Sequence, residues 1–242
     1  MFELSEAVQA LINRYYPKEL PNLVLPEVSI FLDSKKGYKH YDFPNLFGGI
    51  SQTFEDEKQI REYYWYPYIK EGDMVFDIGA DLGSYTLPAL ARGAYVVSVT
   101  PENYEYLLHN INLNGWLLPT RCLPIKGAFY SEPGYLEFVR QQYATKAHYP
   151  NMYEVTTLDK MFRDWDQQID LMKLDVEGAE LEVLRGGMEL IKRTKPKMLI
   201  ECHEFKTGGM SNEIMRFIDS LELGYKYKVE DRKSTKFIFV YT

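Results

Sequence analysis

The 242-residue chain is 45% apolar and carries 35 acidic against 28 basic side chains, a formal charge of −7. It can bury a real core, being longer than one minimal domain and short for two. With no long basic run there is no electrostatic footprint for nucleic acid, and no uncharged apolar run approaches the roughly 18 residues that span a membrane, so neither partner is expected.

The first residues, MFELSEAVQALINRYYP, carry acids and a helical pattern in place of a signal peptide's basic start and small-residue cleavage site, which points to a cytoplasmic protein. Leu4, Val8, Leu11, Ile12 and Tyr15 recur at helical spacing, and Pro17 ends the run. Residues 21–49 are rich in Pro, Gly and aromatics, with a strand-like stretch at Val28–Leu32. Thr53 followed by Asp56 resembles a capping box for a helix running to Pro67. These pieces form an N-terminal extension over residues 1–69, ahead of a main domain over 70–242.

From residue 73 the pattern alternates. MVFDIGA reads as a buried strand, SYTLPALARG as a helix closed by Gly93, YVVSVT as a second strand, and ENYEYLLHNINLNG as a helix closed by Asn114 and Gly115. RCLPIKGAFY gives a third strand, GYLEFVRQ part of a hairpin, and LMKLDV a continuous apolar fourth strand. ELEVLRGGMELIKRT is expected to be one helix, KMLIECH a fifth strand and NEIMRFIDSLE a helix, with YKYKVE and TKFIFVYT as an antiparallel edge pair. Buried strands alternating with helices imply an α/β fold, a doubly wound and mostly parallel sheet whose ligands bind at the carboxyl ends of the strands. Cys122 and Cys202 sit in apolar strand-like runs and form no CxxC pair, so both are expected to be reduced structural thiols.

The turn DIGADLGSYT, residues 77–86, leaves the first of these strands. A dinucleotide fingerprint wants GxGxxG, whereas here Gly79 and Gly83 flank Ala80 and Asp81. Asp81 facing a pyrophosphate at low dielectric would be repelled by something on the order of several kcal/mol, and no GK[ST] supports a P-loop. A cationic ligand without phosphate turns the acids into an asset, and S-adenosylmethionine, with its sulfonium and ammonium, is such a ligand. The alternative is that Asp77 and Asp81 cap the following helix.

A second stretch, LMKLDVEGAELEVLRGG at residues 171–187, makes the pattern specific. Together with GDMVFDIGADLGSYTL, ENYEYLLHNINLNG, KGAFYSEPGYLEF, VTTLDKM and KPKMLIECHEF, in that order, it resembles the FkbM-type family of S-adenosylmethionine-dependent methyltransferases. The likeness spans about residues 70–205. It implies a Rossmann-like class I methyltransferase fold with the cofactor over Asp77, Gly79, Ala80 and Gly83, and reacting groups at the ends of the fourth and fifth strands. The chain departs from the family where an acid followed by Pro usually holds the ribose hydroxyls: here the pair is Thr100 and Pro101, leaving the Thr100 hydroxyl or Glu102 for that contact. Asp81 stands where the family most often has Asn.

The residues agree with that placement. Lys173, Asp175 and Glu177 alternate near the end of the fourth strand, as Glu201 and His203 do on the fifth, and ionisable groups crowding a buried sheet end are costly unless paired or used. The bland alternative pairs Lys173 with Asp175 and makes Glu177 and Glu180 helix caps. For a hydroxyl acceptor on a sugar, glycan or small natural product, His203 is the expected base, oriented by Glu201 or Glu204, with Glu177 as the alternative and Asp175 beside both the acceptor and the cofactor. A metal held by Asp175, Glu177, Glu201 and His203 is conceivable but not favoured, because two separate strands set the spacing. Two competing functions are a non-catalytic protein of the same fold that binds a partner or carbohydrate through GYKHYDFPNLFGG or YYWYPY, and an NAD-dependent oxidoreductase, disfavoured by the glycine pattern.

Overall fold

The computed structural model describes residues 6–15, 30–33, 38–41, 68–117, 121–138, 151–203, 209–232 and 235–242. Helix α1 (Glu6–Tyr15) has Glu6 in its first turn and Arg14 in its last, charges that suit the helix dipole. Strands β1 (Ile30–Asp33) and β2 (Tyr38–Tyr41) pair antiparallel. The helix expected between Thr53 and Pro67, and most of the aromatic segment, lie outside the described residues.

The apolar runs of the main domain form β3 (Met74–Ile78), β4 (Tyr95–Thr100) and β5 (Cys122–Lys126), separated by α2 (Thr86–Ala91) and α3 (Tyr104–Leu113). A side sheet follows, built from β6 (Ala128–Phe129), β7 (Gly134–Phe138) and β8 (Asn151–Thr156). The chain then returns to the main sheet through α4 (Leu158–Met161) and β9 (Leu171–Leu174). It ends with α5 (Glu180–Arg185), α6 (Met188–Thr194), β10 (Lys197–Cys202), α7 (Met210–Ser220), β11 (Lys226–Arg232) and β12 (Thr235–Tyr241).

The seven-stranded sheet runs β11-β12-β10-β9-β3-β4-β5. β12 lies antiparallel to both its neighbours, while the β10, β9, β3, β4 and β5 contacts are all parallel. The C-terminal pair therefore sits at the edge as expected, with β12 inserted between β10 and β11. The order reverses between β3 and β9, the kind of switch point at which open α/β sheets bind their ligands. Pro124, which cannot donate to a ladder, is confined to the edge strand β5.

Both faces of the sheet are covered. Met74, Phe76 and Ile78 pack with Met172 and Leu174 on one side, where Phe76, Phe162 and Trp165 meet ring to ring at 4.8 and 5.1 Å from Phe76. Val75, Leu171 and Leu199 join the core on the other. Period-two alternation puts Asp77 and Lys173 on this second face, and the parallel register sets Ser98, Asp77 and Lys173 side by side across three strands. A polar row thus runs through an apolar layer, ending at the switch point.

Two expectations change in detail. ELEVLRGGMELIKRT is two helices, broken at Gly186 and Gly187. A Cβ at Gly186 would stand 2.2 Å from the Tyr130 carbonyl oxygen and one at Gly187 2.7 Å from Leu158 Cδ1, so the glycine pair lets the helix turn against the side sheet and α4. The hairpin begun by β7 closes on β8, whose residues carry no strand expectation in the sequence. Both cysteines are buried and outside any disulfide, and burial beside the Asp77 charge pushes the Cys122 thiol up to about 12, as suits an inert structural thiol.

Gly79 is the tightest backbone junction. Its φ is +85°, and a Cβ there would lie 1.8 Å from the Asp175 carbonyl oxygen. Gly79→Ala is expected to cost at least ~3 kcal/mol in urea unfolding, against about 1 kcal/mol for Gly115→Ala, where φ is +69° but nothing lies within 4 Å of the added carbon.

Candidate active site

The loop after β3 is shaped by left-handed residues: Gly79, Asp81 and Gly83 have φ of +85°, +49° and +96°. Short polar side chains tolerate that region, which explains Asp at a position where Asn would serve equally. The N–H groups of Gly79 and Ala80 both donate to the Val99 carbonyl at 2.9 and 3.0 Å, and that of Gly83 to the Ala80 carbonyl at 2.8 Å. Three of the N–H donors of this turn are thus spent inside the protein. The N-cap of α2 is Tyr85, whose side chain makes no cap hydrogen bond, and Asp77 meets the first turn of this helix through the Thr86 hydroxyl.

Asp77 is wholly buried. Its Oδ2 accepts from the Thr86 hydroxyl at 2.6 Å, and its Oδ1 lies 3.3 Å from Lys173 Nζ. Lys173 also reaches Asp175 Oδ2 at 3.3 Å and donates to the Gly79 carbonyl at 2.8 Å. The ammonium therefore ties the ends of β3 and β9 together. Burial alone would pull its pKa down, but the charges of Asp175, Asp77 and Glu201 outweigh that and hold it above the ordinary lysine value. The expected Lys173–Asp175 pairing is present, and Asp77 shares the same ammonium.

Asp175 and Glu177 leave the end of β9, and His203 follows β10 directly. His203 is 5% exposed. Its Nδ1 is 2.9 Å from Glu180 Oε1, and its Nε2 faces Glu177 Oε2 at 3.7 Å and Asp175 Oδ1 at 3.9 Å. The ring is oriented by Glu180, the first residue of α5, where Glu201 or Glu204 was expected; Glu204 lies outside the described residues. Glu180 also accepts the Gly178 N–H at 2.9 Å, so it serves the helix start and the histidine together. Burial lowers the His203 pKa, yet the Glu180 hydrogen bond and the charges of Asp175, Glu180 and Glu177 raise it overall to about 9. Burial and the Asp175 charge push the Glu201 carboxyl up to about 8.

The third corner lies at the end of β4. Thr100 is buried, and its hydroxyl donates to the Glu102 carbonyl at 2.7 Å. The Glu102 carboxylate accepts from Tyr153 Oη at 2.6 Å, a residue of β8. Asn103, at φ +55°, donates through its amide to Asp81 Oδ1 at 2.6 Å and so clamps the two loops together. Neither Tyr153 nor Asn103 stood out in the sequence. The only signal was an Asn just ahead of a helix; a tyrosine in a side strand gives none.

Two measurements test these pairings. Removing the Lys173 charge leaves Asp77 and Asp175 unmatched, so Lys173→Met is expected to cost about 3–5 kcal/mol in urea unfolding. Glu201 titrates near 8 in place of 4.5, and His203 near 9 in place of 6.5. In both the protonated form is favoured by folding, so the Glu201 contribution is full below 4.5 and lost by about 8, while that of His203 is full below 6.5 and lost through about 9. In buffer without divalent cations the Tm should fall as pH rises across this window, and His203→Gln should flatten its upper part.

The matched family model is the Methyltransferase FkbM domain, over residues 77–227. A tRNA (guanine(37)-N(1))-methyltransferase of Ciona intestinalis is 39% identical over 76 residues, 31% of this chain and 15% of that protein. A protein of the same name from Xenopus tropicalis is 31% identical over 71 residues, 24% of this chain and 14% of its own. Among solved structures, Methyltransferase FkbM from Methylobacillus flagellatus KT superposes with a TM-score of 0.53 at 20% identity, covering 70% of this chain and 43% of that one. A SAM-dependent methyltransferase from Agrobacterium tumefaciens gives 0.55 at 13% identity, covering 91% and 72%. These two likenesses speak to the fold, a Rossmann-like α/β sheet. With residues 77–227 of the 242 matched, the chain belongs to the FkbM methyltransferase domain family.

Proposed function

We propose that the chain is an S-adenosylmethionine-dependent methyltransferase that acts on a hydroxyl of a sugar, glycan or small natural product. The observation that carries this is the switch point itself: a turn that spends the N–H donors of Gly79, Ala80 and Gly83 internally and carries acidic side chains meets a carboxylate and imidazole cluster. Such a turn suits a cationic, phosphate-free cofactor and repels a pyrophosphate.

Gly79, Ala80, Asp81 and Gly83 would hold the cofactor over the end of β3, and Glu102, fixed by Tyr153, would meet the ribose in place of the missing acid. Thr100 shapes that corner through its bond to the Glu102 carbonyl. The cofactor supplies an electrophilic methyl on a sulfonium. For their part the protein groups align the acceptor and remove its proton. Asp175 and His203 orient the hydroxyl. His203 holds its own proton at neutral pH, so the half-exposed Glu177, with 56% of its side chain open to solvent, is the group available to take another.

A second reading comes from the relatives named tRNA (guanine(37)-N(1))-methyltransferase, which match short segments. The net charge of −7 weighs against a polyanionic acceptor.

Calorimetry should detect S-adenosylmethionine and S-adenosylhomocysteine and no NAD. Silence toward both sulfur compounds would leave the non-catalytic alternative, and NAD binding the oxidoreductase. Glu102→Ala should weaken S-adenosylmethionine about 10- to 100-fold, the loss of one or two charge-assisted hydrogen bonds, while Thr100→Val should change it little. With labelled cofactor, glycans and polyhydroxylated small molecules should accept methyl where tRNA does not, and Glu177→Gln should lower kcat about 10²- to 10⁴-fold. Label entering tRNA guanine would sink the hydroxyl assignment.

A further inference from the structure

We propose that Asn103 is a positioning residue of the cofactor site: through Asp81 it seats the turn after β3 on helix α3 and so sets the span between that turn and Glu102. This deepens the methyltransferase reading and rests on it for the identity of the ligand. Three observations lead there.

The first is how the turn is supported. Its near half hangs on β4, with the Gly79 and Ala80 N–H groups both on the Val99 carbonyl. Its far half lies along α3. Asn103 donates to Asp81 Oδ1 at 2.6 Å, and the wholly buried Asn110 donates to the Leu82 carbonyl at 2.9 Å. Between them Leu107 backs Gly83, where an added Cβ would stand 3.0 Å from Leu107 Cδ1. Positions 103, 107 and 110 share one face of a helix, so three successive residues of the turn rest on a single stripe. Leu107 and Asn110 are its buried floor, whereas Asn103, at the helix start, is partly exposed.

The second is what Asn103 gives up. It occupies the N-cap of α3, where an asparagine ordinarily accepts from a backbone N–H of the first turn, yet its side chain makes no cap hydrogen bond. Its backbone is left-handed at φ +55°, and so is that of Asp81 at +49°. Two residues in this sparsely populated region therefore turn their side chains toward each other across two loops. A helix start that forgoes its own cap to bond a different loop departs from the local rule in favour of a longer-range constraint.

The third is the neighbour. Glu102 directly precedes Asn103, with its carbonyl accepting from the Thr100 hydroxyl at 2.7 Å and its carboxylate from Tyr153 Oη at 2.6 Å. Fixing Asn103 therefore fixes Glu102 relative to Asp81. In the methyltransferase reading these are acids that meet the cofactor from separate loops. A ligand that touches both binds in proportion to the fraction of chains that hold them at the right separation. The Asn103 amide keeps that fraction high before the ligand arrives. Because it donates to a carboxylate, its bond is charge-assisted and stronger than one between neutral groups.

The test is a double-mutant cycle on the full chain, read as S-adenosylhomocysteine affinity by calorimetry, with thermal unfolding of each variant alongside. Asn103→Gly accepts the left-handed backbone and removes only the amide, so it should weaken the ligand about tenfold. Asn103→Asp sets two carboxylates face to face and should weaken it about 30-fold or more. In chains that also carry Asp81→Asn, amide and carboxylate have changed places and the bond is rebuilt, so there Asn103→Asp should cost no more than about threefold. Unchanged affinity in folded Asn103→Gly, or the same loss from Asn103→Asp with and without Asp81→Asn, would overturn the proposal. So would a lowered Tm with unchanged affinity, the mark of a purely structural bond. If the unmodified chain binds neither S-adenosylhomocysteine nor S-adenosylmethionine, the methyltransferase reading falls and takes this assignment with it. If it binds them and the cycle shows no coupling, the Asn103 assignment alone falls.

Discussion

The domain depends on one buried ammonium. Lys173 Nζ holds Asp77, Asp175 and the Gly79 carbonyl within 3.3 Å, and these groups lie on, or directly after, the two strands between which the sheet order reverses. A crevice at a switch point is a place where two loops part, and parting loops need something to fix their separation. Here a single cation at low dielectric does it, with three oxygens set by strand register. Gly79 completes the junction by removing the side chain that would strike the Asp175 carbonyl.

Everything at the site follows from that pin. The turn over β3 owes its shape to left-handed residues, and its donors turn back into the protein on Val99 and Ala80. The cluster beyond β9 and β10 exists because Asp175 is held at its root by Lys173, so that its other oxygen faces His203. The acidity of the surroundings is therefore intrinsic. It raises the pKa of His203 and, added to burial, that of Glu201, each favouring the form with one more proton.

Sequence periodicity was sufficient for the parallel strands, because buried strands of a doubly wound sheet are unbroken apolar runs. Lys173 and Asp77 were legible as charges within such runs, and their register explains why they meet. The helix break at Gly186 and Gly187 was not legible: helical periodicity continues through it, and the cause is the Tyr130 carbonyl on a distant segment. Glu180 looked like a cap, since its role as the partner of His203 depends on how α5 packs beside β10. The reassignment of the ring's partner from Glu201 to Glu180 has the same origin: residues two apart on a strand share a face, but a partner from a neighbouring helix can be nearer.

The side sheet has a bearing on modularity. Through Phe129 it contributes to the core beside Phe162, at 6.0 Å between ring centroids, and through Tyr153 it holds the Glu102 carboxylate. It is thus bonded at once to the hydrophobic interior and to the corner where the second strand ends. A segment attached in both ways cannot drift in sequence as a free appendage. Substitutions that shift its strands would be transmitted along one phenol to Glu102 while the Lys173 junction stays in place, so changes at the Glu102 corner and changes in fold stability can be selected at separate positions of the same domain.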